Sequence, residues 1–533
     1  MTQPAERHLP ATLEASHALI GDLLGEIRNM QHQIEWLRRK VFGRSSERIE
    51  GGELEFFGQT FAPEINDHGA GAESLENQPE AAAAPPPDAA AGDKPQRAAR
   101  RSPLDDLPHQ TLVHDVAEAD KLCACGRQKS RIGQDDSEQL EFIPASLFII
   151  QHVRPKYACP KCHEGVVQAP MPAMPIERGA VGPGLLAHII TSKYADHVPL
   201  YRQETILERH GIHIARSVTC EWVMKSAELL EPLSAALRTE ILRGATINTD
   251  DTPVDVHTGE GNHQARLWTY VGDPLHPYTV YDFTWDRSGE GPRKFLKGFA
   301  GTLQADAFSG YDRLFKDGTV LEAGCLAHAR RKFYDARGED LLVALPILKM
   351  IRELYDVERA AKEKWPTLCQ ARPDPEELAA AEAARLGLRQ EKSAPLMTEL
   401  MRKLRALEGQ LLPKSGLGQA VGYALNHWTA LCRFLEAGNV AIDNNAAERA
   451  IRPLCLGRRN WLQLGSRRGG RAAAVLFTLV QCARRHGIDP FVYLRDLLAR
   501  IPTHPQSRIY ELFPDNWLKL RQETAAPADA LIH

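Results

Sequence analysis

Apolar side chains recur every seven residues between residues 13 and 41, and a second apolar row follows three residues after the first. The two rows are Leu13, Ile20, Ile27, Ile34 and Val41, and Leu23, Met30 and Leu37. β-Branched residues in the first row with Leu or Met in the second favour a parallel two-stranded coiled coil. We therefore predict a dimerisation helix over residues 10–50. The alternative is an amphipathic helix packed on its own chain, because only about four heptads are present and Ser16 interrupts the seam.

Residues 51–104 follow the heptads and consist mainly of Gly, Glu, Ala and Pro, with few large apolar side chains. Such a composition predicts a disordered linker. Helical spacing returns over residues 183–231 and predicts three short helices. Pro199 suits the first turn of the second helix, Gly211 its end, and Ser217 the cap of the third. These helices form either a helix-turn-helix that enters a DNA major groove or a plain helical bundle.

From residue 245 the pattern becomes that of strands. The runs ATINTD, ARLWTYVGD and YTVYDFTW predict three consecutive antiparallel strands, and GTLQAD predicts a fourth after a short helix. A long helical stretch follows. The fold class is therefore a multidomain α+β protein. Its predicted regions after the linker are a ribbon over 105–175, helices over 180–235, a domain that contains the strands over 240–335 and 436–486, a helical insertion over 336–435 and a C-terminal helical extension over 487–533.

Composition narrows the function classes. A chain of 533 residues is too long for one core, and 43% hydrophobic with 25% charged residues is typical of a soluble globular protein. No apolar run approaches the roughly 18 residues of a membrane span, and the N-terminus lacks a secretory signal, so we expect no membrane role and a cytoplasmic location. The net charge of −4 is uneven, because residues 449–485 are rich in arginine. Such local positive charge is compatible with a nucleic-acid partner.

Four of the ten cysteines form two close pairs, Cys123 with Cys125 and Cys159 with Cys162. Two such pairs suit a zinc ribbon, in which four thiolates hold one tetrahedral Zn²⁺ ion. His163 could replace one thiol, and the first pair is spaced more tightly than usual. Four unrelated thiols, or a redox-active pair in the CxxC motif, are the alternatives.

Two aspartates lie late in predicted strands, Asp250 in the first and Asp306 at the end of the fourth. If these strands are neighbours, both carboxylates lie at one edge of the sheet. Mg²⁺ is typically held by one or two carboxylates together with substrate phosphate and water. The sequence thus suggests a divalent metal site that needs a third acid from a nearby helix.

Glu448 supplies that acid in the segment AIDNNAAERAIRPL, which predicts a helix. Asp443 or an adjacent Asn can cap it, and Pro453 limits it. Glu448 lies one turn before Arg452, so it is either half of a surface ion pair or a metal ligand among arginines that neutralise phosphates. Spacing alone does not decide between the two. The candidate phosphate-binding residues are Arg449, Arg452, Arg458, Arg459, Arg467 and Arg468.

Several of these runs resemble the transposases of the insertion sequence 66 family. The runs are TDDTPVDV, LQADAFSGYD, EAGCLAHARRKFYDA, AIDNNAAERAIRPLCLGRRNWLQLGS and HGIDPFVYLRDLL. Upstream, LRRKVFGRSSER, HVRPKYACPKC and SKYADHVPLYRQE match as well. The resemblance covers nearly the whole chain apart from the linker, in one order.

The resemblance implies an RNase H-like catalytic domain whose triad of Asp250, Asp306 and Glu448 holds two Mg²⁺ ions. The family's Asp-Glu-Thr-Pro motif here has Asp251 in second place, which leaves open whether Asp250 or Asp251 is the ligand. Its Cys-Trp-Ala-His motif is here Cys-Leu-Ala-His and ends at His328, which lies near the site or is a buried structural histidine.

The expected function is a DDE transposase that cleaves 3′ ends of an insertion element and joins them to target DNA. The expected partners are double-stranded DNA (terminal inverted repeats and target), a second or further copies of the chain, and small accessory proteins of the same element. A nucleoid-associated location within the cytoplasm follows. The alternatives are a catalytically inactive DNA-binding regulator derived from a transposase, and a nuclease that cleaves without joining.

Overall fold

The computed structural model describes residues 55–56, 59–60, 147–154, 156–157, 167–168, 170–177, 181–259 and 261–524. The predicted coiled coil and the four paired cysteines lie outside these residues, as does most of the predicted linker. Two small antiparallel pairs are described by themselves: β1 (Glu55–Phe56) with β2 (Gln59–Thr60), and β3 (Lys156–Tyr157) with β4 (Val167–Gln168). No helix within the described ranges combines the length and apolar character needed to cross a bilayer.

A mixed β-sheet lies at the centre of the larger unit. Its strands are β5 (Thr246–Thr258), β6 (Gly261–Gly272), β7 (Thr279–Thr284), β8 (Gly301–Gln304), β9 (Val320–Ala323) and β10 (Gln463–Leu464). The order is β7-β6-β5-β8-β9, with β10 also paired to β5. The first three strands are antiparallel, whereas β8 and β10 run parallel to β5 and β9 runs parallel to β8. The prediction of three antiparallel strands followed by a fourth is confirmed.

The edge of β5 opposite β6 is shared between two short strands. β8 pairs with Thr246–Asn248, and β10 pairs with Asp255 and Val256. Between these pairings β5 has no strand partner on that side within the described chain. Asp250 lies in this interval. It is the fifth of 13 residues of β5, so the prediction that it comes late in its strand was wrong, because pairing with β6 extends β5 to Thr258.

The helices are α1 (Pro183–Tyr194), α2 (Leu200–Arg209), α3 (Arg216–Ile241), α4 (Glu290–Phe295), α5 (Asp312–Phe315), α6 (Leu326–Ala336), α7 (Leu341–Lys364), α8 (Pro375–Leu388), α9 (Ala394–Leu407), α10 (Gly416–Asn426), α11 (Trp428–Cys432), α12 (Asn445–Trp461), α13 (Arg467–Arg485), α14 (Pro490–Arg500) and α15 (Pro514–Thr524). The third predicted helix, α3, is long rather than short. It begins before Ser217, so this residue is not its cap.

One hydrophobic core joins the sheet to helices from both ends of the described chain. It contains Ile190 of α1, Leu230 of α3, Tyr270 of β6, Phe477 of α13 and Leu494 of α14, each at most 1% exposed. The predicted boundary between a helical region at 180–235 and the catalytic domain therefore does not separate two cores. The predicted C-terminal extension does not have a core of its own either. Its apolar side chains are buried in the core that the sheet, α1, α3 and α13 also form.

The stretch between β9 and α12 forms a second core. Helices α6, α7, α9 and α10 contribute Phe333, Leu354, Leu404 and Ala420, each at most 1% exposed. This stretch is helical, as its periodicity predicts. It separates the strand that precedes Asp306 from the helix that carries Glu448.

Candidate functional site

Asp250 projects from the face of β5 that α12 covers. Side chains alternate between the two faces of a strand, so Asn248 and Thr252 lie on the same face as Asp250. The Asn248 amide donates to Asn444 (3.1 Å), and the Thr252 hydroxyl accepts a hydrogen bond from Arg458 (3.1 Å). Asp250 thus lies between two contacts that tie β5 to α12.

Asp251 points to the opposite face and is already paired. Its carboxylate, 2% exposed, forms ion pairs with Arg266 (3.1 Å) and Arg287 (2.9 Å). Asp250 instead accepts a hydrogen bond from the Asp251 amide (2.8 Å) and forms no ion pair with a described basic residue. Of the two aspartates, Asp250 is the one whose negative charge lacks a cation.

Asp306 follows β8 after one intervening residue, rather than ending the strand as predicted, because the ladder with β9 stops at Gln304. The last pairing of β5 with β8 joins Asn248 to Gln304, so Asp250 and Asp306 are each two residues beyond it on parallel strands. Strands one and four are neighbours, which is the condition for both carboxylates to lie at one edge of the sheet. Arg287 Nη2 lies 3.7 Å from Asp306 Oδ2.

Glu448 is the fourth residue of α12, and Asn444 fixes the start of that helix. The fully buried Asn444 amide donates to the Thr249 carbonyl in the unpaired interval of β5 (2.8 Å). The Asn444 side chain therefore contacts the sheet and does not cap the helix. Asp443 accepts from the Asn445 amide (3.1 Å).

Pro453 does not limit α12, contrary to the sequence prediction, since the helix continues to Trp461. Ile451 and Leu454 pack into the core on either side of the proline. Their burial holds the helix in place where one backbone hydrogen bond is missing.

Burial and neighbouring acids raise the pKa values of Asp250 and Asp306. Burial raises the pKa of Asp250 to about 7, and the negative charges of Asp306, Asp251 and Glu448 add to this rise. Burial also raises the pKa of Asp306, which Asp251 raises further, while Arg287 and His328 oppose the change. A buried carboxylate without a cation, close to two further acids, fits a divalent metal ion, because Mg²⁺ and similar ions prefer oxygen ligands.

The predicted phosphate-binding arginines divide into two groups. Arg449, Arg452 and Arg459 are exposed along α12. The other three have contacts within the chain: Arg458 donates to the Pro253 carbonyl, Arg467 lies over the Trp285 ring, and Arg468 pairs with Glu221 and Glu228. The geometry therefore favours the first group for contacts with a ligand.

Sequence reasoning missed Arg287 and Asn444 and left His328 undecided. His328 Nδ1 lies 3.6 Å from Glu448 Oε1, which places this histidine at the site. The doublet Asn444-Asn445 before the helix was a usable signal for an anchoring residue. Nothing in the sequence distinguished Arg287 from other arginines, because its partners are 36 and 19 residues away, one inside β5 and the other beyond the end of β8.

Four family models match the chain. One described as "Transposase IS66 family" covers residues 178–472, and "IS66 C-terminal element" covers 478–514. "Zinc-finger binding domain of transposase IS66" covers 120–163, a range that contains all four paired cysteines. "Transposase C of IS166 homeodomain" covers 29–111. The order of the matches is that of the sequence motifs.

Similar full-length proteins occur in Sinorhizobium fredii (strain NBRC 101917 / NGR234). The uncharacterized protein y4hP is 33% identical over 93% of this chain and 90% of its own length. The uncharacterized protein y4qI is 36% identical over 92% of this chain and 89% of its own length. A third, y4jD, is 33% identical over 79% of this chain and 83% of its own length.

Proposed function

Because the chain belongs to the transposase IS66 family, we propose that it cleaves the 3′ ends of an insertion element and joins them to target DNA. The family assignment supports a transposase, a nucleotidyl-transferase type of enzyme that binds DNA. Its catalytic domain implies a divalent metal ion, and its zinc-finger domain implies zinc. The identity of the catalytic residues and the two reaction steps are our proposal.

The catalytic domain is proposed to be RNase H-like. The strand order, three antiparallel strands followed by two parallel strands on the other side of β5, supports this assignment. So does the position of the helix with the third acid, which passes beside the unpaired interval of β5.

Asp250, Asp306 and Glu448 are the proposed metal-binding triad. The observation that carries this proposal is the position of Asp250 and Asp306, each two residues beyond the last pairing of β5 with β8, beside the helix start that Asn444 bonds to β5. Burial raises the pKa of Asp250 to about 7, and the charges of Asp306, Asp251 and Glu448 add to this rise. Divalent ions bound there would activate the attacking oxygen and stabilise the leaving oxygen of an in-line displacement. Three carboxylate ligands suit Mg²⁺.

The remaining residues bind and orient DNA in this proposal. Arg449, Arg452 and Arg459 contact phosphates that flank the scissile bond. Arg287 keeps Asp251 paired and thereby leaves Asp250 as the free carboxylate. Water attacks the phosphorus and the bond to the 3′ oxygen breaks, which leaves a 3′-hydroxyl. That hydroxyl then attacks a phosphate of the target, and the target's own 3′ oxygen leaves.

Zinc is proposed to bind Cys123, Cys125, Cys159 and Cys162, which lie outside the described residues. The matching zinc-finger model supports this ligand set. The heptads supply a dimer interface in the proposal, so that two element ends are processed together.

A strand-transfer assay tests the proposal. The full chain is incubated with a labelled element end, plasmid target and Mg²⁺. We expect Asp306→Asn to reduce joined product by about 100-fold or more, the size of effect seen when one preorganised electrostatic group is lost. The matched control is Asp255→Asn, an exposed aspartate on β5, which should join normally.

The outcomes separate the alternatives. Unchanged joining by Asp306→Asn excludes the triad assignment. DNA binding without any Mg²⁺-dependent cleavage by the wild-type chain indicates an inactive regulator, and cleavage without joining indicates a nuclease.

A further inference from the structure

His328 presents an unused nitrogen to the proposed metal site. It is the third residue of α6, and its Nδ1 is buried without a hydrogen-bond partner in the described chain. Glu448 Oε1 is 3.6 Å away, beyond hydrogen-bond distance. Buried polar atoms are usually paired, so an unpaired nitrogen beside a carboxylate calls for a partner.

Cys325 holds this arrangement but does not suit the role of a ligand. Its sulfur lies within 4.8 Å of the His328 and Glu448 ligand atoms. It is fully buried and accepts a hydrogen bond from the backbone N–H of Asn444 (3.2 Å). A soft thiolate suits Zn²⁺ or Cu⁺ better than Mg²⁺ or Mn²⁺, and this sulfur instead links the starts of α6 and α12. The spacing between His328 and Glu448 is therefore set by a buried contact.

That spacing fits one metal ion. Two ligands at about 2.1 Å from an ion lie roughly 3.0 Å apart at a right angle and roughly 3.4 Å apart at the tetrahedral angle. The observed separation of 3.6 Å requires only a small side-chain rotation to match. The hydrogen-bonded frame around α6 and α12 does not need to move.

We propose that His328 supplies a nitrogen ligand to the divalent ion bound by Glu448, and so biases the site towards transition-metal ions such as Mn²⁺ over Mg²⁺. The inference rests on the proposed function, which puts a metal ion at Glu448. Its chemical basis is that imidazole binds first-row transition metals better than Mg²⁺, whereas carboxylates alone suit Mg²⁺ well.

Mn²⁺ is the probe for the test. The untagged full chain, purified with its zinc in place, is titrated with Mn²⁺ and with Mg²⁺ by calorimetry. Pulsed electron paramagnetic resonance then detects nitrogen coupled to bound Mn²⁺, with ¹⁴N- and ¹⁵N-histidine-labelled protein compared. The variant is His328→Gln. The matched control is His213→Gln, which alters an exposed histidine that lies 3.0 Å from Glu208.

We expect histidine nitrogen coupling in the wild-type chain and in His213→Gln, and its loss in His328→Gln. Mn²⁺ binding by His328→Gln should weaken by at least about tenfold, and Mg²⁺ binding by much less. The isotope comparison on wild-type protein alone still tests the inference if His328→Gln fails to fold.

Two results would overturn this inference and leave the proposed function standing: bound Mn²⁺ without histidine nitrogen, or coupling that persists in His328→Gln. Failure of the proposed function is different. It would appear as no binding of either ion, or as binding that Asp250→Asn does not change.

Discussion

The carboxyl group of Asp250 lies in a buried environment that disfavours its ionised form. Burial, followed by three neighbouring acids, raises its pKa from 3.8 to about 7. An acid whose pKa is higher in the folded state lowers stability once it ionises. The resulting decrease in the free energy of unfolding is absent below pH 4, grows as the pH rises towards 7, and is complete above that value.

Asp250→Asn should therefore stabilise the metal-free chain at pH 8 by about 1–2 kcal/mol and have little effect at pH 4. Thermal or urea unfolding in chelator at both pH values measures the difference. Asp255→Asn, on the same strand but exposed, is the control and should change stability little at either pH. A loss of stability in Asp250→Asn at pH 8 would contradict the assigned environment of this residue.

Single residues show where the sequence was informative. The acidic motifs pointed to Asp250, Asp306 and Glu448, and the charges of Asp306 and Glu448 both raise the pKa of Asp250. The group whose ligand atoms lie within 4.8 Å of one another is instead Cys325, His328 and Glu448. The choice between Asp250 and Asp251 could not be made from the motif. It depends on strand alternation and on Arg287, which approaches from a loop that no local pattern connects to β5.

Among the elements, the helical insertion contains the most deeply buried charges of the described chain. Glu358 is 3% exposed and its carboxylate accepts hydrogen bonds from Arg385 (3.0 Å) and Arg389 (2.6 Å). Arg389 is fully buried and also donates to the Phe434 and Ala437 carbonyls. The cluster joins α7 to α8 and to the turn before α12.

Glu358→Gln should lower the free energy of unfolding by about 3–5 kcal/mol at pH 7, because two buried guanidinium groups lose their counter-ion. Urea unfolding measures this. Glu408→Gln, in an exposed pair with Arg405, is the control and should cost at most about 1 kcal/mol.

The pH dependence of the Glu358→Gln effect has a definite sign. Burial alone would raise the pKa of Glu358, but the hydrogen bonds and charges of Arg389 and Arg385 bring it below the ordinary value of 4.5. A lowered pKa stabilises the fold above the unfolded value, and that stabilisation is lost as the pH falls through the folded pKa. The difference in the free energy of unfolding between wild type and Glu358→Gln should decrease below pH 4.5. A gap that stays constant on acidification would contradict the ion cluster.

Elements were predicted well where their periodicity is strong, as for β5, β6, β7 and the insertion helices. Their ends were predicted less well. Pro453 indicated a helix end, but the core contacts of Ile451 and Leu454 carry α12 through it. Ser217 indicated a helix start, but α3 begins one residue earlier, at Arg216. At Pro453 tertiary packing outweighs a local signal, whereas the start of α3 is exposed and its cap differs from the predicted one by only two residues.

At the scale of the whole molecule, the shared core makes the C-terminal helices part of the unit that contains the six-stranded sheet. Leu494→Ala on α14 should cost about 2–5 kcal/mol, since the residue is fully buried. Because the core is common, backbone amides of β5 should lose protection as well. Thermal unfolding and hydrogen exchange of the 246–258 peptide measure both effects. Tyr510→Ala, at a side chain that is 53% exposed, is the control.

Increased exchange confined to α14 and α15 would show instead that the C-terminal helices form an independent domain. Sequence patterns could not distinguish these cases. Periodicity identifies the apolar face of each helix but does not identify the helix against which that face packs. Helices α1 and α14 are in contact although their residues are about 300 positions apart in the sequence.

The hydrogen bond between Tyr278 and Asp515 has a consequence for synthesis on the ribosome. The tyrosine at the start of β7 donates a 2.6 Å hydrogen bond to an aspartate of α15, and Trp517 is buried beside it in the common core. Strand β5 leaves the exit tunnel some 250 residues earlier, so the nascent chain must carry an incomplete common core until translation is nearly complete. A polypeptide released early would then lack the apolar side chains of residues 512–517 that complete the core around the sheet.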